Sequence, residues 1–127
     1  MPHHFTKHYT RDEARALLPE IRLSLKRLQQ LRTDLVEHEQ RLDPLLTPGR
    51  DLGGATVNAW VRSIADLQEI LADFHRRQIQ IKDLDRGLID FPALMEGKEA
   101  FLCWKLDEPD IAFWHGLDAG YAGREPL

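Results

Sequence analysis

Four side chains in the last third of the chain can do chemistry together: Asp90, His115, Asp118 and Arg124. His115 closes the apolar run IAFWH and is followed by GLDAGYAGR, which brings Asp118 three residues later and Arg124 soon after. An imidazole serves as a metal ligand or a general base, but it needs a partner to fix its tautomer, and a carboxylate can supply one. In that arrangement His115 and Asp118 are the metal ligands, Asp90 is a further ligand or orienter, and Arg124 clamps an anion. The cofactor this admits is a divalent metal. Gly116, Gly120 and Gly123 permit turns that return Asp118 and Arg124 to the strand end. The competing reading is a hydrogen-bonded knot that pins the terminus, with Tyr121 and Leu127 packed on the sheet.

Cys103 is a second zinc donor in principle, yet its spacing to His115 matches no zinc motif. Strand register decides whether the two meet. If Leu106 opposes Ile111 around DEPD, Trp104 opposes Phe113, Leu102 opposes His115 and Cys103 opposes Trp114. Directly opposed residues share a face, so Cys103 and His115 then lie on opposite faces. A register slipped by one, around EPD, pairs Cys103 with His115. The first register gathers Leu102, Trp104, Leu106, Ile111 and Phe113 on one apolar face, and it is the one expected. Cys103 is then a small packed hydrophobe.

Other polar groups carry less. KDLDRGLID holds Asp83, Asp85, Lys82 and Arg86, but it lacks the spacing and closing Glu of a calcium loop. Asp85-Arg86-Gly87 reads as a tight turn. Asp90 differs from its neighbours because it sits between Ile89 and Phe91 inside a strand. His3, His4 and His8 fall in a start expected to be frayed and solvated. Arg22, Lys26, Arg27 and Arg32 read as a solvated helix face. Trp60 and Phe74 read as core. No Ser-His-Asp signature or phosphate-binding glycine loop stands out.

The elements that must position these groups are clear in outline. Thr10 and Glu13 form a capping box before a heptad seam of Ala14, Ile21, Leu28, Leu35 and Leu42. The seam predicts a helix over about 11–44, with a kink or short break at Pro19. LDPLLTPGRDLGG is a loop. Val57, Trp60, Ile64, Leu67, Leu71 and Phe74 predict a second helix over about 55–77, folded back as an antiparallel hairpin. IQIKD, GLIDF, AFLCWKL and IAFWH then read as strands, with Gly87 and FPALMEGKE supplying turns. The expected fold is α+β in one domain, 1–127: a long antiparallel helical hairpin over about 11–77, then a small antiparallel β-sheet and an ordered tail over about 78–127. A small sheet cannot cover so long a hairpin. Ile21, Leu25, Leu28, Leu35, Ile64, Leu67 and Leu71 are therefore expected to meet a second copy in a homodimer.

The totals narrow the class. The chain has 127 residues, with 17 basic and 21 acidic side chains and a net charge of −4. That balance argues against a nucleic-acid partner. The single Cys cannot form an internal disulfide. No long apolar run suggests a signal peptide or membrane anchor, and a cytoplasmic location is expected. YTRDEARALLPEI, IKDLDRGLIDFPAL, FLCWKLDEPDIAFWH and DAGYAGREPL, in that order, resemble the bacterial family called domain of unknown function 2203. The resemblance implies a small bacterial cytosolic protein and brings no activity, cofactor or partner. It leaves HRRQI aside, so His75, Arg76 and Arg77 are poor candidates for a shared function. Two functions follow: a non-catalytic, self-associating scaffold or adaptor, and alternatively a small metal- or anionic-ligand-binding protein or enzyme with its polar site at the sheet end and C-terminal tail.

Overall fold

The computed structural model describes residues 2–42 and 54–127. Most of the expected interhelical loop lies outside the described residues. Two helices, α1 (Arg11–Leu42) and α2 (Gly54–Arg76), precede five strands: β1 (Gln80–Asp83), β2 (Leu88–Met95), β3 (Lys98–Trp104), β4 (Phe113–Gly116) and β5 (Glu125–Pro126). The strands form one antiparallel sheet in sequence order, β1-β2-β3-β4-β5. The fold is α+β, as the change from helical to alternating periodicity predicts.

The capping box forms: Glu13 N–H donates to Thr10 Oγ1 at 3.1 Å, and Thr10 N–H to Glu13 Oε1 at 3.0 Å. Beyond it, Ala14, Leu18, Ile21, Leu25 and Leu28 bury one stripe of α1 against the inner face of the sheet. There they meet Ile89, Phe91, Ala93, Leu102, Trp104 and, from the loop before β4, Ile111. Ile21, Leu25 and Leu28, three of the stripe residues assigned to a partner chain, are thus covered by the chain's own sheet. Helix α1 runs through Pro19 without a break. Pro19 is exposed, so water can reach the carbonyl that its missing N–H leaves unpaired.

Helix α2 lies on α1 and buries only Ser63 and Phe74. It ends in a Schellman motif: Ile79 N–H reaches Phe74 O at 3.1 Å and Gln78 N–H reaches His75 O at 3.0 Å. Gln78 takes the left-handed position with φ of 59°. Its side chain then does a second job. Gln78 Oε1 accepts the N–H groups of Thr6 and Lys7 at 3.0 and 2.9 Å. With Tyr9 N–H on Pro92 O at 2.7 Å, this ties residues 2–10 to the domain as a strap. The expected frayed start is therefore ordered.

FPALM, expected to turn, continues β2. Pro92 is tolerated because β1 pairs with β2 only up to Asp90, so no ladder partner on that side asks for its absent N–H. The turn is confined to Glu96 and Gly97, both at positive φ.

Candidate functional site

The Glu96-Gly97 turn sets Asp90 directly opposite Cys103. Across the next pairing, Cys103 opposes Phe113 and Phe101 opposes His115. Asp90, Cys103 and His115 therefore share the outer face of the sheet, away from α1. This overturns the expected register, which put Cys103 and His115 on opposite faces. The reason lies between β3 and β4. The connection is not a tight DEPD turn but a broad loop closed on itself by Glu108, whose carbonyl accepts Trp104 Nε1–H at 3.0 Å and whose carboxylate accepts Lys105 N–H at 3.0 Å. Ile111 reaches the core from that loop rather than from a strand, so it no longer sets the alternation of β4.

The three groups are deeply buried: Asp90 is 2%, Cys103 1% and His115 3% exposed. Their ligating atoms all lie within 4.8 Å of one another. His115 Nε2 is 3.0 Å from Asp90 Oδ1, and His115 Nδ1 is 2.8 Å from Gly116 O. A carbonyl oxygen only accepts, so Nδ1 must carry a proton. Nε2 and Asp90 then share one more proton between them, and the pair is neutral as a whole. Burial raises the Asp90 carboxyl above its usual range, against the pull of His115. Cys103 is pushed up to about 11, by burial first and by Asp90 second. It stays a thiol.

That arrangement does not favour a Cys-His-Asp nucleophile. Both ring nitrogens of His115 are occupied by Gly116 and Asp90, so neither can take the Cys103 proton. A thiol with so high a pKa is not a nucleophile at neutral pH. A divalent metal is a different matter. It would displace two protons, the one on sulfur and the one shared by Asp90 and His115, and leave the buried cluster neutral again. The Gly116 carbonyl would continue to hold Nδ1–H and aim Nε2, the outer-shell contact that metal-bound histidines need.

The cluster opens on a cleft of about 190 Å³. Leu88, Phe101, Leu117, Ala119 and Tyr121 wall it, and exposed Lys82 stands at its mouth. The tail forms one wall because Arg124 anchors it. The guanidinium makes a two-pronged bond to Glu108, at 2.7 and 3.0 Å, and lies 3.9 Å from the Phe113 ring centre. Its Nη1 is also 3.9 Å from Cys103 Sγ.

Of the residues singled out from sequence, Asp90 and His115 meet. Arg124 lies close by, but its charge is taken by Glu108 rather than Asp118. Asp118 is exposed in the turn after β4 and faces a neighbouring cleft with His4, Phe5 and Lys82. The carboxylate that orients His115 is Asp90. Cys103 and Glu108 were missed as partners. One signal was available: a two-residue turn at Glu96-Gly97 places residue 90 opposite residue 103.

Over residues 7–127 the sequence matches the family described as uncharacterized conserved protein (DUF2203). The chain belongs to that family. No curated protein and no solved structure matches it significantly. The DUF2203 description names no reaction, so the chemistry rests on the donor set itself. Among the described residues of this DUF2203 chain, no helix is long and apolar enough to cross a membrane.

Proposed function

We propose that this protein binds a divalent transition metal of the zinc class through Asp90 Oδ1, Cys103 Sγ and His115 Nε2, with the remaining position turned toward the small cleft. The observation that carries this reading is the convergence of three different donor types, within 4.8 Å, on one buried face. Two ligand atoms about 2.0 to 2.3 Å from a tetrahedral zinc stand roughly 3.3 to 3.8 Å apart, so sub-ångström adjustments suffice where the spacing is 3.0 Å. Thiolate with imidazole and carboxylate suits zinc over magnesium or calcium, which prefer oxygen alone. Three protein ligands and one open position suit a site that handles a small ligand rather than a purely structural one.

Elemental analysis of protein purified without a histidine tag tests this, followed by zinc titration of the chelator-treated protein. About one equivalent is expected at this cluster, apart from any ion held elsewhere on the protein, with release of about two protons, and Cys103→Ser and His115→Ala should each lose that equivalent. Metal-free protein that takes up no zinc at micromolar concentration would refute it.

Self-association is a second reading, favoured by apolar side chains of the hairpin that the sheet leaves uncovered. Leu23, Val36, Val61 and Leu71 are exposed, and Ile64 and Leu67 are only half-buried. A second copy laid on α2 would cover part of this surface, and a scaffold or adaptor role would follow from such a dimer. Light scattering at tens of micromolar decides it, and a monomer there removes the reading. The lone Cys, kept as a thiol, suits a reducing cytoplasm. The net charge of −4 disfavours a nucleic-acid partner.

A further inference from the structure

A second set of donors sits where the N-terminal strap crosses the start of β3. His8 Nε2 is 2.8 Å from Glu99 Oε2, and His3 Nδ1 is 3.7 Å from Glu99 Oε1. The three ligating atoms lie within 4.8 Å of one another. We infer that His3, His8 and Glu99 form a second, surface metal site, for a divalent ion with nitrogen and oxygen preference, that fastens the strap to the sheet.

Three observations build this site. First, the carboxylate is held in place before any ion arrives. Glu99 Oε1 accepts His4 N–H at 2.6 Å and Oε2 accepts Phe5 N–H at 3.0 Å, and its side chain is only 6% exposed. Second, the His3 contact is too long for a hydrogen bond, yet its nitrogen is turned to the same carboxylate. The two spacings, 2.8 and 3.7 Å, bracket the roughly 3.4 Å between ligands of one tetrahedral zinc. Third, the two imidazole rings stand edge to face, 5.0 Å apart, so each can offer a nitrogen toward one point without clashing. Two histidines and one carboxylate with open positions suit zinc, nickel, copper or iron, and contain no thiolate.

The placement gives the site a task. Phe5, between the two histidines in sequence, packs edge-on against Phe101 at 5.5 Å, and Phe101 lies 5.4 Å from the His115 ring. An ion at His3, His8 and Glu99 would hold the strap shut over the aromatic wall of the buried cluster. The site stands on its own donors and does not depend on occupancy of the Asp90-Cys103-His115 cluster.

Cobalt and zinc, added to chelator-treated whole protein, separate the two. Cobalt at the buried cluster gives thiolate-to-metal charge-transfer absorption, and cobalt at the strap gives none. With zinc at saturating concentration, the amides of His4 and Phe5 should exchange at least tenfold more slowly than in chelator. The same slowing should appear in Cys103→Ser, which lacks the charge-transfer signal, and should vanish in His3→Ala/His8→Ala, which keeps it. Absence of charge transfer in wild type with the strap still protected would remove only the buried site. Strap exchange indifferent to zinc up to millimolar, or slowing that survives the double His substitution, overturns the strap site.

Discussion

The two faces of the sheet are covered in different ways. The inner face is sealed by one long helix through apolar area: Leu25, Leu28, Ile89, Phe91 and Trp104 are essentially inaccessible. The outer face carries a carboxyl, a thiol and an imidazole, and it is sealed by two terminal segments. The apolar side chains they lay on it, Phe5, Leu117 and Tyr121 among them, stay partly exposed. Directional bonds hold these segments instead: Glu99 and Gln78 on the strap, Arg124 with Glu108 on the tail, and Leu127 N–H on Ala112 O at 2.9 Å. Area-based sealing is shared among many contacts and tolerates no partial opening. Bond-based sealing can be cut at one residue while the core stands, so local opening costs less there than global unfolding.

Substitutions on each face test this contrast. The largest effect belongs to the inner face: Trp104→Ala removes a fully buried indole and its bond to Glu108, and should cost about 3 to 5 kcal/mol in denaturant unfolding. A loss under about 1 kcal/mol would mean the helix-sheet seam is not the main source of stability. Next comes the tail. Its ion pair has side chains 13% exposed on both sides, between the surface and buried regimes, so Arg124→Ala should cost about 2 to 3 kcal/mol. At this chain length that corresponds to roughly 6 to 15 °C in melting temperature. Arg124→Ala/Glu108→Ala should recover part of the loss. An additive double variant would show that no pair energy anchors the tail.

Asp90→Asn sharpens the comparison further, because the amide can donate to His115 Nε2. Metal-free stability should change by about 1 kcal/mol or less. Zinc affinity should fall at least a hundredfold in calorimetry. The reverse pattern, a large stability loss with zinc binding intact, would make Asp90 structural. The smallest effect is expected at the strap in acid. Burial alone would raise the Glu99 carboxyl, but the His4 N–H, His8 and Phe5 N–H outweigh it and hold it at about 2 against an ordinary 4.5. A depressed carboxyl stabilises the fold above its unfolded value and loses that contribution as pH falls through the folded one. In chelator, the melting difference between wild type and Glu99→Gln should be constant above about pH 5 and shrink from there toward pH 2. A difference flat across that window would detach Glu99 from the strap.

Much of the frame was legible in the sequence because it is local. The capping box, the heptad seam and the switch to alternation are each read along one unbroken stretch of chain, and the hairpin-then-sheet order follows from them. The register of β4 was not legible, because the loop from Lys105 to Ala112 delivers Ile111 to the core outside any alternating pattern. Arg124 and Asp118 were grouped by nearness along the chain, whereas Glu108 reaches Arg124 by folding the loop back. The position of His3 and His8 near a chain end points to solvent. Their partner, Glu99, lies about ninety positions away, and no periodicity encodes that contact.

The strictly sequential strand order also bears on how the molecule assembles. Asp90, Cys103 and His115 come from three consecutive strands joined by short-range connections, so ordinary hairpin formation, on the order of 1 to 10 μs each, is enough to bring them together. The strap bonds His4 and His8 to Glu99, and the first residue of α1, Arg11, bonds Ile111 O, across separations of 91 to 100 residues. Such closures carry a larger entropy cost and come late. The donors should therefore meet while their cover is still open, leaving a time window in which an ion enters without prying the finished domain apart. Pulse-labelled exchange during refolding would show it as early protection of Asp90 and Cys103 amides and later protection of Phe5. Simultaneous protection would close that window.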